Sequence, residues 1–95
     1  MARQGAAAAA DVLALEALAF LADSPDDLAL FIRLSGVDPA GLRARAGERQ
    51  FLAGVLDYFL GDEKLLTRFC QQNAVEPATI HRLRAALAAQ PPETR

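Results

Sequence analysis

Four residues, "SPDD" from Ser24 to Asp27, carry a complete helix-opening signal. Ser24 offers a hydroxyl that can accept from a free backbone N–H, and Pro25 stands at the first helical position, where its missing N–H costs nothing. Asp26 and Asp27 face the positive end of the helix dipole, and Asp27 occupies the capping-box position. Similar punctuation recurs at Gly36, Asp38–Pro39, Gly47, Gly61–Asp62 and Pro77. A chain interrupted roughly every dozen residues by helix stops and starts folds into several short helices rather than one long one. Composition agrees: there are 21 alanines, against nine Val, Ile and Thr together. Ala and Leu suit helices, whereas β-branched residues suit strands.

The pattern predicts six elements. The first helix spans Asp11–Ala22, with Asp11 as N-cap or first-turn acid. Val12, Leu13, Leu15, Leu18, Phe20 and Leu21 wrap nearly its whole circumference, which marks a helix buried on most sides. The second starts at Pro25, carries Leu28, Phe31, Ile32 and Leu34, and ends at Gly36 in a left-handed conformation. Asp38 caps a short third helix opened by Pro39, and Gly41 and Gly47 keep it short and weak. Val37 before that cap and Leu42 four residues after it have the spacing of a hydrophobic staple. The fourth helix, Glu48–Leu60, shows Phe51, Leu52, Val55, Leu56 and Phe59 on its core face, with Gly54 admitting a close neighbour. Asp62 caps a fifth, with Leu65, Leu66, Phe69 and Cys70 inside. Val75 and Ile80 repeat the staple around Glu76–Pro77, and Ile80, Leu83 and Leu87 stripe the sixth helix.

Fold and organisation follow: an all-α, compact bundle of five to six short helices, with a flexible N-terminus at 1–10, one helical domain at 11–89 and a flexible tail at 90–95. "SGVDPAGLRARA" and "NAVEPATIHRLR" lie thirty-eight positions apart, with Phe31, Val37, Pro39 and Leu42 matching Phe69, Val75, Pro77 and Ile80. This spacing predicts a pseudo-repeat of a three-helix unit with two matching corners.

The second corner resembles the helix-turn-helix of repressor-type regulators over Leu66–Leu87. The resemblance implies a recognition helix over 77–89 presenting Thr79, His81, Arg82 and Arg84 to a DNA groove, with Arg43, Arg45 and Arg49 as further basic residues. Departures weigh against it. Ala74 stands where that motif places a turn glycine, Asn73 stands at a usually apolar position, and the net charge is −2. Phosphate contacts need surplus Lys and Arg. The stretch Asp11–Asp38 holds six acids and one Arg, Arg33.

Other chemistries lack their parts. The one histidine, His81, projects away from its helix's apolar stripe, and the one cysteine, Cys70, lies on the apolar side of another helix, so no nucleophile–base pair is expected. One His and one Cys do not make a metal site, and no glycine-rich phosphate loop occurs. No cofactor, metal or enzymatic role is expected. Asp11 and Glu16 interrupt the longest apolar run, Gly5–Ala22, which argues against a membrane span and for a cytoplasmic chain. What remains is binding by surface: another protein, or a second copy of this chain as a homodimer. Tyr58 and the alanine-rich side of the last helix are candidate contacts, although Tyr58 is better read as capping its own core.

The run "ALAFLADSPDDLALFIRLSGVDPAGLRARAGERQFLAGVLDYFLGDEKLLTRFC" resembles a family of short bacterial proteins called domain of unknown function 3572. That resemblance covers Asp11 to Leu87. It implies a small, soluble, helical bacterial protein and brings no catalytic or ligand residue with it. The preferred reading is a non-enzymatic protein-interaction module. The alternative is a helix-turn-helix DNA-binding protein.

Overall fold

The computed structural model describes residues 2–88. Six helices follow one another: α1 (Ala2–Ala22), α2 (Pro25–Ser35), α3 (Pro39–Arg45), α4 (Arg49–Leu60), α5 (Glu63–Asn73) and α6 (Pro77–Ala88). The expected tail at 90–95 lies outside the described residues. α1, α4 and α6 pack against one another at the centre. α2 leans on α1, and α5 on α4 and α6, while α3 takes no extensive part in the packing.

The local signals act largely where the sequence places them. Asp38 accepts from the Gly41 N–H at 2.6 Å and Asp62 from the Leu65 N–H at 3.1 Å, which closes the open amide ends of α3 and α5. Gly36 ends α2 at φ 79°, its N–H bonded to the Ile32 carbonyl. Ser24 departs from expectation. It precedes α2 in extended conformation, as a cap residue should, but its side chain makes no cap hydrogen bond. The Asp27 carboxylate, expected to complete a capping box, instead takes a hydrogen bond from Arg68 of α5 at 2.7 Å. The Ser24 N–H, which would close the box, donates to the Leu21 carbonyl at 3.0 Å.

The first helix is longer than predicted. It begins at Ala2, not Asp11, so the first ten residues, expected to be flexible, are helical from the second onward. Alanine has the highest helix propensity, and the run 6–10 extends the helix to Ala10, which is fully buried. Asp11 therefore sits inside the helix and is neither cap nor first-turn acid. The prediction that α1 is buried on most sides is also corrected. Ala10, Leu13, Ala14, Ala17 and Leu21 face inward, but Val12 and Leu15 face out.

All five phenylalanines and the one tyrosine join in a single edge-on chain. Phe20 of α1 meets Phe69 at 5.5 Å and Phe59 at 6.1 Å between ring centres, and Phe59 meets Phe69 at 5.2 Å. From Phe59 the chain continues to Tyr58, to Phe31 at 5.0 Å from Tyr58, and to Phe51. Such pairs add about 0.5–1.5 kcal/mol each beyond their buried area, and this series ties α5, α1, α4 and α2 together. Leu52, Val55, Leu56, Leu65, Leu66, Ile80, Leu83 and Leu87 fill the space around it, and Leu42 and Val75 pack at its edge.

The two corners match in backbone. Pro39 and Pro77 open their helices, and Gly36 and Ala74, thirty-eight positions apart, both take left-handed conformations. They differ in packing. α3 has seven residues and none of its described side chains is buried, whereas α6 has twelve and buries Ile80, Leu83 and Leu87.

Candidate interaction surface

The basic residues fall into two groups. Arg49, at the start of α4, reaches Asp11 of α1 with Nε at 3.3 and 3.2 Å from the two carboxylate oxygens and with Nη2 at 3.0 Å. Arg84 of α6 grips Asp57 of α4 through both Nε, at 2.7 Å, and Nη2, at 2.9 Å. That hydrogen bond, more than the charge of Asp57, raises the guanidinium's pKa further, against the opposing effect of burial. Arg45 pairs with Glu48 at 3.3 Å and lies over the Phe51 ring. Arg43, His81 and Arg82 are exposed and have no ion-pair partner among the described residues. Of the seven residues expected to make a nucleic-acid face, Arg45, Arg49 and Arg84 thus spend their charge on acids of the same chain. Arg43 and Arg45 stand on α3, Arg49 on α4, and Thr79, His81, Arg82 and Arg84 on α6.

The α5–α6 corner has the backbone of a tight helical turn. Ala74 adopts φ 54° and ψ 45°, its N–H bonded to the Cys70 carbonyl. Asn73, at the position expected to be apolar, is half-buried because its amide donates to the Phe69 carbonyl at 3.1 Å. Pro77 and exposed Glu76 lead into α6, whose Ile80 is fully buried.

Cys70 is buried, and burial pushes its thiol pKa up, away from the reactive thiolate. His81 points outward from a different helix. No group of three or more His, Cys, Asp and Glu side chains suited to a metal ion occurs among the described residues. No helix among them is long and apolar enough to cross a membrane.

Tyr58 is half-buried between Phe31 and Phe59, with its phenol pKa raised by burial and then by Asp62 and Asp27, as suits a core-capping ring. Gly54, expected to admit a close neighbour, has nothing within 4 Å of where a Cβ would stand. It opens instead onto a groove of about 350 Å³ bounded by Phe31, Val37, Arg45, Phe51 and Val55. The first staple's Val37 therefore lines a groove wall, half-buried, while Leu42 packs on the core.

The surface that stands out is apolar. Val12 is 55% exposed, Leu15 43%, Leu30 36% and Leu34 67%. Sequence reasoning counted Val12 and Leu15 toward a helix buried on most sides, named Leu34 among the apolar residues of the second helix and gave Leu30 no place. A signal was available: Ala8, Val12, Leu15 and Ala19 fall at i, i+4, i+7 and i+11, a second apolar stripe opposite the buried one. Beside its lower end lies a cleft between α1 and α5, bounded by Glu16, Ala19, Phe20, Asp23, Gln72 and Asn73.

No curated protein and no solved structure matches this chain. The family described as Protein of unknown function (DUF3572) matches it over residues 7–90. Nearly the whole of the helical bundle falls within that match, including both corners and the complete aromatic chain, and the protein belongs to this family.

Proposed function

We propose that this protein is a non-enzymatic interaction module that binds another protein through exposed apolar helix faces. The observation that carries this reading is the outward placement of Val12, Leu15, Leu30 and Leu34 in helical register on α1 and α2. Single exposed aliphatic residues are ordinary, but paired ones at i, i+3 and i, i+4 make a continuous surface that a partner helix can cover. The test is affinity capture from native cells with two baits, the natural chain and a variant carrying Val12→Ser, Leu15→Ser, Leu30→Ser and Leu34→Ser. Circular dichroism should find both baits equally helical. A partner retained by the natural chain and lost from the variant is expected. Identical captures, or none, would overturn the reading.

A second reading, DNA binding through α6, is favoured by the left-handed turn at Ala74 and by exposed His81 and Arg82. The pairing of Arg49 and Arg84 with acids weighs against it, because each phosphate contact needs a cation free to displace counterions. Steeply salt-dependent duplex binding that weakens in Arg82→Gln would restore it.

A further inference from the structure

We infer that the outer face of α1 is the docking site for an amphipathic partner helix whose apolar stripe is flanked by Lys or Arg. This inference rests on the interaction reading and assigns it one face and one kind of partner. The apolar part of the site is Val12 and Leu15, with Ala8 and Ala19 extending the stripe one turn each way; small residues there let a partner backbone come close. The charged part lies along one side. Glu16 and Asp23 are both exposed, and neither carboxylate has an ion-pair partner among the described residues. Both line the cleft beside α5.

The backbone adds to the same sign. α1 ends at Ala22 and α5 at Asn73, and neither helix has a basic residue in its last turn. A helix C-terminus carries about half a negative charge, which lysine or arginine normally offsets. α4 and α6 likewise lack one, whereas α2 has Arg33 there and α3 has Arg43 and Arg45. Among the described residues, Arg49 is held by Asp11 on the other side of the stripe, and Arg68, which lines a neighbouring hollow with Asp23, is held by Asp27 and lies over the Phe20 ring. A cation arriving with a partner helix would therefore meet Glu16, Asp23 and two helix ends that carry no basic side chain while its apolar face covers Val12 and Leu15. A second copy of this chain is the poorer occupant, because its own α1 stripe would bring Glu16 and Asp23 against like charge.

The test places a photo-crosslinking amino acid at Leu15 and, separately, at Leu34 of the full chain in native cells, and identifies the crosslinked peptides by mass spectrometry. The expected product from Leu15 is a segment with apolar residues at i, i+3 and i+4 bordered by Lys or Arg. In a background of Glu16→Lys and Asp23→Lys its yield should fall about tenfold, as two part-exposed ion pairs allow. Asp26→Lys on α2 should leave it unchanged, and Lys or Arg to Glu changes in the captured segment should restore it. Thermal melting shows that each variant is folded. Crosslinks from Leu34 alone would overturn the α1 assignment and leave the interaction module standing. Capture of an acidic segment or of a second copy, or a yield indifferent to the charge reversal, would also overturn it. Silence at both positions would remove the interaction reading itself.

Discussion

Arg49 of α4 holds Asp11 of α1 at 3.0 Å, joining residues thirty-eight positions apart on two of the three central helices. The contact is two-pronged and joins two helices that both feed the buried core, through Ala10 and Leu13 on α1 and Leu52 and Val55 on α4. Both side chains are partly open to water, so solvent and salt screen the attraction. Asp11→Asn should lower stability by about 0.5–1 kcal/mol in dilute buffer. Repeating the urea melt in 1 M salt should bring variant and natural chain together. A difference that survives salt would assign the contact a packing role instead.

Ala74 is the one non-glycine residue with positive φ among the described residues. A Cβ in that conformation crowds the neighbouring carbonyl, which glycine avoids. Ala74→Gly should therefore stabilise the protein by roughly 0.5–1 kcal/mol, even though glycine loosens the unfolded chain. Gly36→Ala, at φ 79° in the other corner, should cost about 1 kcal/mol. Both effects are readable from chemical denaturation, and an Ala74→Gly variant less stable than the parent would contradict the turn geometry.

Phe59 is fully buried and touches the rings of Phe20, Tyr58 and Phe69. Phe59→Ala should cost about 3–5 kcal/mol, a large share of the stability of a small domain, and lower the melting temperature by more than about 10 °C. Leu34→Ala, at an exposed position, should change stability by no more than about 0.5 kcal/mol. Calorimetry on the two variants separates the core residue from the surface one.

The Asp27 carboxyl is held below the usual carboxylate range, first by its hydrogen bond from Arg68 and then by one from Ser24. The native group is then ionised at pH values where its unfolded counterpart already takes a proton. Its contribution is present above the unfolded value and is lost as pH falls through the native one. Asp27→Asn should be less stable than the natural chain at neutral pH, and the gap should close in acid. Melting curves from about pH 7 down to about pH 2 test this, and a gap that widens in acid would reverse the assignment.

Cys70 should resist alkylation in the native protein, since burial both shields it and raises its thiol pKa. Labelling with iodoacetamide should proceed only as fast as the protein opens. Native labelling as rapid as in denaturant would place the thiol outside the core.

Much of the fold is written in residues a few positions apart. Asp38 and Asp62 cap helices through N–H groups three residues on, Gly36 ends α2 within its own turn, and the stripes of α5 and α6 point Phe69 and Ile80 inward by helical spacing alone. These signals depend only on local backbone geometry, so sequence determines them. α1 was different because it is apolar on two opposite faces, and periodicity cannot choose between them. The packing of α1 against α4 and α6 buries Ala10, Leu13 and Ala17 and leaves Val12 and Leu15 outside. The same holds for charge. Arg84 to Asp57, Arg68 to Asp27 and Arg49 to Asp11 join positions 27, 41 and 38 apart, and no local rule selects those acids. Which cations remain for a partner, and which apolar face meets water, are set by how the helices cross, because a side chain's environment comes from neighbours that only the folded chain brings within reach.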